Sequence, residues 1–599
     1  MTMRKVRRSQ IVSPFGPGAI IDLVGESFVA EDAGNWQGRP AWVEFPRLAS
    51  YLGVRALRTP RTNGFLPYYR FPRWLFCTSC RRMIQWRTDF EQLDSAPTCQ
   101  ICQGRKQLVP MRFVAVCGNG HLTDVDWRRW AHSQSRYDRN QQQCQKTDLR
   151  FQSRSDVGGG LRSLDVVCNS CNSKRSLDGL TTRLALQQIG LMCPGKQPWQ
   201  MQQDSRPCDE VLVAMQRGAS SIYFPAVVSA IDIPPESTWA NVNNPKTRLL
   251  QNADFRSLTE RPDHPLRAAL LDLIADETKL ARPDIEAALA AQLAHDASGT
   301  AVGSLDDIFP DEWEALSHPR DDHDSRDWFI TRRADRQATA PTEPGASVVS
   351  ELSSLVEDVI LVDRLREVRV LKAFERHTMK REVPSNLAPR ADYLPCVEVF
   401  GEGFFIRLNE DAVSAWERET AIRTRCARLA NRAQQTAARW LPEATPRYLL
   451  LHTLAHLLLR NTSFEAGYST SSLRERLYVT QRPGGPAMAG ILIYTAAGDA
   501  EGTLGGLVRL GEYQRLYPLL LTSVSEAQWC SFDPVCSESS GQGPGGLSLA
   551  ACHACSLVPE TSCVATNRLL DRRLLIDDEF GFFSSLVRSL AELPDRRTW

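Results

Sequence analysis

Four times in this chain two cysteines stand two residues apart: Cys77 and Cys80, Cys99 and Cys102, Cys168 and Cys171, Cys552 and Cys555. A two-residue gap turns both sulfurs to the same side of a tight loop, as a tetrahedral metal requires. The chain holds 17 cysteines. Behind the basic start, with Arg4, Lys5, Arg7 and Arg8, no apolar leader follows. No apolar run reaches the roughly 18 residues of a membrane span. The expected compartment is the cytoplasm, where thiols stay reduced, so zinc accounts for the cysteines better than disulfides do.

The spacings suggest three sites. Cys77, Cys80, Cys99 and Cys102 form two knuckles with eighteen residues between them, a zinc-ribbon spacing. Cys168, Cys171, Cys193 and Cys208 form a second quartet with the less regular gaps of 21 and 14 residues, and Cys144 is an alternative ligand. Near the C-terminus Cys552 and Cys555 are joined by Cys563, seven residues on, and by Cys536, fifteen residues before. Cys536 is preferred as the fourth ligand because it sits in the turn-like D-P-V-C, which leaves Cys530 as a spare thiol. Cys117 and His121, four apart across a glycine-rich turn, read as a structural pair or as ligands lent to a neighbouring site.

The 599 residues, 42% hydrophobic and 24% charged, describe an ordinary chain able to bury several cores. The expected fold is α+β and multidomain. Residues 1–70 read as an arm and a turn, with a strand from Ala19 to Leu23 after the Pro- and Gly-rich turn. Residues 71–235 read as a small-β region stapled by two four-cysteine sites, with a core strand at 221–231. Residues 236–350 read as a helical segment, 264–296, then a charged linker from Asp306 to Pro344. Residues 351–529 read as a helical and α/β lobe. In it Val356, Ile360, Leu361, Leu365, Val368 and Leu371 repeat at helical spacing. Residues 530–599 read as the last zinc domain, with an amphipathic helix beginning over Asn567 to Leu575.

Candidate chemistry is sparse. The G-P-G turn at Gly16–Gly18 lacks the G-K-[ST] of a phosphate loop, and E-G-T-L-G-G-L at 501–507 lacks its lysine. His121, Asp124 and Asp126 are the material of a hydrolytic metal centre, but no partner motif accompanies them. His452 and His456 share one helix face. Thr453 stands where a zinc protease needs its glutamate, so a buried, hydrogen-bonded histidine pair is expected. With net charge +1, any nucleic-acid contact must be local. Arg81, Arg82, Arg87, Arg105 and Lys106 near Trp74 and Trp86 offer one basic, aromatic patch. The six arginines between Trp416 and Trp440 offer another, unless they form only a solvated helix face.

The order C…C-H-A-C…P-E-T-S-C…N-R-x-L-D-R resembles the zinc-binding (MZB) domain that follows some bacterial DNA helicases of the MrfA type. That resemblance implies ligand roles for Cys536, Cys552, Cys555 and Cys563. R-R-S-Q-I-V-S-P-F-G-P-G-A-I-I-D-L, C-G-N-G-H-L-T-D-V-D-W, C-P-G-K-Q-P-W and the H-T-L-A-H series extend a likeness over nearly the whole chain. Together they resemble the DrmB family, the helicase-associated component of the DISARM anti-phage system. The resemblance implies a non-enzymatic partner of a DrmA-type helicase, forming a heterodimer that engages DNA. Two other readings stand beside it: a metal-dependent nuclease or hydrolase, and a stand-alone single-stranded nucleic-acid binder.

Overall fold

The structure is a computed structural model. It describes residues 6–7, 10–37, 41–61, 65–92, 95–134, 144, 147–154, 156, 158–233, 249, 252–260, 262–298, 308–320, 328–336, 346–377, 381–389, 391–436, 440–479, 487–495 and 505–592. Arg4, Lys5 and Arg8 of the basic start lie outside the described residues. The chain divides into two compact units. One is Met1–Val43, Ala56–Val228 and Val370–Val397; the other is Glu44–Arg55, Ser229–Arg369 and Glu398–Trp599. The division falls inside the strands Phe224–Ile231, Val356–Glu375 and Tyr393–Leu408.

The first unit holds four small three-stranded sheets among its described residues. Ile20–Leu23 pairs antiparallel with Glu26–Ala30, which pairs with Tyr68–Arg70. The turn before it needs its glycine. Gly18 has φ +87°, and a Cβ there would sit 2.4 Å from the Phe374 ring. The Gly18 carbonyl accepts from the buried Arg376 guanidinium at 2.6 Å, which also donates to the Gly120 and Ile222 carbonyls. That turn is therefore filled by protein, not by phosphate. The other three sheets carry the cysteines, and one core that includes Trp74, Phe113, Trp127, Trp130 and Val166 packs among all three.

The second unit is built on a larger sheet. Its strands run Phe224–Ile231, Val356–Glu375, Tyr393–Leu408, Ala489–Thr495, Leu473–Val479 across the sheet. Helical spacing in Val356–Leu371 proved misleading. The segment is one twenty-residue strand, preceded by the helix Ala346–Leu355. The reason lies in its two faces: Val359 and Leu361 enter one core and Ile360 and Val362 the other. A strand buried on both sides loses its polar alternation, so apolar residues fall at helical intervals by chance. The β-branched residues then favour the pleat.

Within the charged stretch 306–344, the described residues 308–320 and 328–336 are more ordered than a linker. It contains the helix Phe309–Ser317 and the strand Ile330–Arg333, which pairs with the long strand. Its acidic residues are partly internal: the buried Glu312 accepts from Ile231 N at 2.9 Å, Tyr478 Oη at 2.9 Å and Arg476 at 2.6 Å. Residues 321–327 and 337–345 lie outside the described residues. The helical reading of 264–296 holds: Ala253–Glu260, Arg267–Thr278 and Arg282–Ser298 share a core of Phe255, Leu258, Leu271, Ile274 and Ile285.

The helix Pro446–Ala466 lies against this sheet, apolar on nearly every side and buried accordingly. Thr445 caps it by accepting the Tyr448 N–H at 3.1 Å, Pro446 begins it, and Gly467 at φ +70° ends it. The glycine turn before the helix Gly506–Leu510 is occupied by the chain itself: Gly505 N and Leu507 N donate to the buried Glu402 carboxylate.

Gly403 crosses close to its neighbour strand, where a Cβ would meet the Ile493 carbonyl oxygen at 2.1 Å. Gly403→Ala is expected to destabilise the chain by about 2 kcal/mol or more, the scale of overpacking in a core. Thermal unfolding checks it: a melting temperature equal to the parent's would contradict this packing.

Candidate metal centres

Among the described residues, five clusters of cysteine, histidine and glutamate each bring four ligand atoms within 4.8 Å of one another. A tetrahedral zinc with four sulfurs at 2.3 Å has neighbouring sulfurs about 3.8 Å apart, so the donor sets have the right size.

The first cluster is Cys77, Cys80, Cys99 and Cys102, as the spacing suggests. Cys77 ends the strand Trp74–Cys77, which pairs with Met83–Gln85 and Leu108–Pro110. Each knuckle curls tightly: Arg81 N donates to Cys77 O and Arg105 N to Cys102 O, with Arg81 and Arg105 at positive φ. The sulfurs face across, Cys77 to Cys102 at 3.6 Å and Cys80 to Cys99 at 3.8 Å.

The quartet Cys168, Cys171, Cys193 and Cys208 is split between two places. Cys168 and Cys171 meet Cys144 and His132; Cys193 and Cys208 meet Cys117 and His121. Topology separates the pairs. Cys168 ends the strand Leu164–Cys168, beside Leu149–Ser153, whereas Cys117 follows Phe113–Val116 and shares its sheet with Val213–Gln216. In the first place Cys144 lies 3.8 Å from Cys168, and His132 Nε2 lies 3.2 Å from the Cys171 sulfur. His132 ends the helix Trp127–His132, and its Nδ1–H donates to the Arg128 carbonyl at 2.6 Å. In the second, His121 Nδ1 stands 3.4 Å from both Cys117 and Cys193, and Asn119 donates to Cys208 at 3.4 Å. Gly120, at φ +78°, closes the turn between Cys117 and His121, and a Cβ there would strike Val383 at 2.5 Å.

The C-terminal cluster is Cys530, Cys536, Cys552 and Cys555, so Cys530 rather than Cys563 completes it. Cys530 reaches Cys552 at 3.4 Å, and Cys536 reaches Cys555 at 3.8 Å. Asp533 arranges this. Its carboxylate accepts the N–H groups of Cys530 and Ser537 and is clamped by Arg572 at 2.5 Å, which curls 530–537 toward the knuckle. The amphipathic helix expected from Asn567 is only Arg573–Ile576, because Thr566, Asn567 and Leu569 take positive φ. The Asn567 side chain bridges Val558 N and O, at 3.0 and 2.7 Å.

Cys563 instead joins His452, His456 and Glu475. All four are buried, none more than 3% exposed. The expected histidine pair is there: Nδ1 of His452 donates to Leu569 O at 3.1 Å, and Nδ1 of His456 to Ser556 O at 2.9 Å. Thr453, between them, turns away and accepts the Asp571 N–H.

Crowding leaves its mark on the thiols. Burial pushes Cys77 up, but backbone N–H groups and neighbouring thiols outweigh it and bring it to about 7, while burial and the same sulfurs raise Cys80 to about 12. The Cys193 hydrogen bond brings Cys117 to about 4 against burial, and drives Cys193 itself up. Burial raises Cys171, yet Ser173 and its neighbours bring it to about 6, and Cys144 climbs to about 11. One thiolate in a cluster suppresses the next unless a cation sits among them. In the fifth cluster burial lowers the histidines, but Glu475 and Cys563 more than reverse this, so His452 lies well above its ordinary value and His456 at about 9.

The hydrolytic trio does not converge. His121 faces sulfur, the half-buried Asp124 carboxylate accepts from Arg73 N at 3.0 Å, and Asp126 caps the helix Trp127–His132. The basic stretch 416–440 divides: Arg425 pairs with the buried Asp571 at 2.5 Å and Arg432 bonds the Gly546 carbonyl, while Arg418, Arg423 and Arg428 are exposed. Sequence reasoning missed His132 and Glu475, and gave Cys117, His121 and Cys144 only as options. The one signal for His132 is a histidine in a short tryptophan-rich helix ahead of a cysteine.

Residues 7–224 match a family described as a domain of unknown function (DUF8724), and residues 454–556 match the MrfA Zn-binding domain (MZB). Cys530, Cys536, Cys552 and Cys555 all lie within the second match. A protein described as DISARM protein DrmB, from Bacillus paralicheniformis, is 30% identical over 610 residues, covering 95% of this chain and 100% of its own length.

The geometry brings Cys530 and His132 into four-donor clusters where spacing alone did not. Cys530→Ser and His132→Ala are each expected to lower bound metal by one equivalent per chain, read by elemental mass spectrometry. Cys426→Ser, a buried thiol outside the five clusters, is expected to leave the count unchanged.

Proposed function

This chain belongs to the DrmB family, and from that premise we propose that it is a zinc-stapled, non-catalytic component of a DISARM anti-phage system, partnering a DrmA-type helicase in the cytoplasm. Its relative's description supports the system, and the match to a zinc-binding domain supports zinc. The observation that supports the reading is that each of the four cysteine-rich clusters brings four protein donor atoms together, enough to close a tetrahedral site. Zinc so enclosed has no coordination position for water or substrate, so it contributes to folding rather than to Lewis-acid chemistry. Each such site can contribute on the order of 10 kcal/mol of apparent binding free energy, judged from zinc-finger peptides.

In this reading the chain acts through what it holds. The helicase supplies ATP turnover, and this chain helps form the heterodimer's path for DNA. Exposed Arg418 at the end of the helix Glu410–Glu417, exposed Arg423 and Arg428 on the helix Thr420–Gln435, and Arg105 and Lys106 beside the first cluster are the side chains best suited to phosphate. No helix among the described residues is long and apolar enough to cross a membrane.

Two outcomes are expected. The double variant Cys552→Ser/Cys555→Ser is expected to unfold the C-terminal part and lose copurification with the helicase; a soluble double variant recovered at the parental yield would contradict the scaffold reading. Arg418, Arg423 and Arg428 changed together to Gln are expected to weaken DNA binding by the complex, and to flatten its salt dependence by about 0.9 per lost phosphate contact. Binding by the isolated chain as tight as by the complex would favour the single-strand binder instead.

A further inference from the structure

We propose that His452, His456, Glu475 and Cys563 hold a fifth metal ion, a divalent cation of zinc's character, in a fully enclosed site of two nitrogens, one oxygen and one sulfur.

The argument begins with the helix. His452 and His456, one turn apart on Pro446–Ala466, present both imidazoles on one face, with ring centroids 4.5 Å apart at 87°. Each Nδ1 faces a backbone carbonyl, Leu569 or Ser556. A carbonyl has no proton to give, so each Nδ1 must carry one. In the neutral ring that fixes Nε2 as the lone-pair nitrogen, and it is Nε2 that turns inward on both residues. An imidazole held from behind in this way is the usual arrangement of a metal-bound histidine.

The other two donors come from separate segments. Glu475 lies on the strand Leu473–Val479, and Cys563 lies beyond the C-terminal knuckle. His452 Nε2 is 3.2 Å from the Cys563 sulfur and 3.1 Å from Glu475 Oε1, and His456 Nε2 is 3.6 Å from the same oxygen. The edges of a zinc tetrahedron with these ligand types measure about 3.3–3.6 Å. The Cys563 sulfur also accepts the Asn567 N–H at 3.2 Å, which favours its thiolate.

Orphaned polar atoms make the case. His456 Nε2 and both carboxylate oxygens of Glu475 are buried and make no hydrogen bond among the described residues. Buried polar atoms normally find partners, and His456 Nε2 and Glu475 Oε1 stand 3.6 Å apart with no hydrogen bond between them, a gap that a shared cation would satisfy. Charge gives its sign: one thiolate and one carboxylate sum to −2, which a divalent cation neutralises while replacing the two protons that imidazolium rings would carry. Mixed N, O and S donors suit a borderline ion such as zinc. The site would tie the large sheet, the buried helix and the C-terminal cysteine loop through one atom. It stands apart from the Cys530, Cys536, Cys552 and Cys555 cluster and does not depend on the helicase partnership.

The competing reading is a metal-free network of protonated imidazoles with carboxylate and thiolate. Elemental analysis of the full-length reduced chain separates them. Glu475→Gln and Cys563→Ser are each expected to lose one zinc equivalent, and Cys552→Ser combined with Glu475→Gln two. A well-folded Glu475→Gln chain with the parental zinc count overturns the proposal. Should the variants fail to fold, zinc-edge X-ray absorption of the unaltered chain decides. Five zinc ions with four bound imidazoles, those of His121, His132, His452 and His456, support the site. Four zinc ions with two bound imidazoles overturn it.

Discussion

Thiols do not crowd without cause. Four sulfurs, or three sulfurs and an imidazole, drawn within 4.8 Å compete for a single negative charge, so that one ionises and suppresses the rest. A divalent cation removes the conflict and turns the same crowding into bonds. In the proposed zinc-stapled chain, the small sheets of the first unit would gain their stability from that exchange. Strands such as Trp74–Cys77 and Met83–Gln85 are three or four residues long, too short to bury much on their own. Their apolar contribution is a core of Leu75, Trp86 and Leu108 wrapped around the cysteines themselves.

The second unit reaches stability by a different route. Its sheet is covered on both faces, and Val359 with Leu361 and Ile360 with Val362 feed separate cores from one strand. Several buried charges there are paired: Glu312 with Arg476, Asp571 with Arg425, Glu367 with Arg369. Removing one partner of such a pair strands the other in the interior, which costs more than the pair contributes. The C-terminal cysteine loop belongs to this unit. It rests on the helix Pro446–Ala466 through Arg460, which donates to the carbonyls of Ala554 and Leu557.

What could be read in advance follows from distance along the chain. Knuckles are local, so every C-x2-C pair was legible, and so was the first cluster, whose two pairs lie in one hairpin-rich stretch. The Cys117–His121 turn was visible as a pair but not as half of a site, because its partners Cys193 and Cys208 return from far downstream. His132 carried no spacing signal at all. Cys563 was assigned to the nearest knuckle because seven residues is a plausible loop. Asp533 and Arg572 decide otherwise by curling Cys530 inward, an effect that no spacing rule contains. The strand Val356–Glu375 was hidden for a related reason, since burial on both faces erases the alternation that marks a strand.

Zinc content of the folded, reduced, full-length chain tests the central claim most directly. The account predicts at least four equivalents, one for each cysteine-rich cluster. A monodisperse, cooperatively folded chain that carries fewer than four would contradict it.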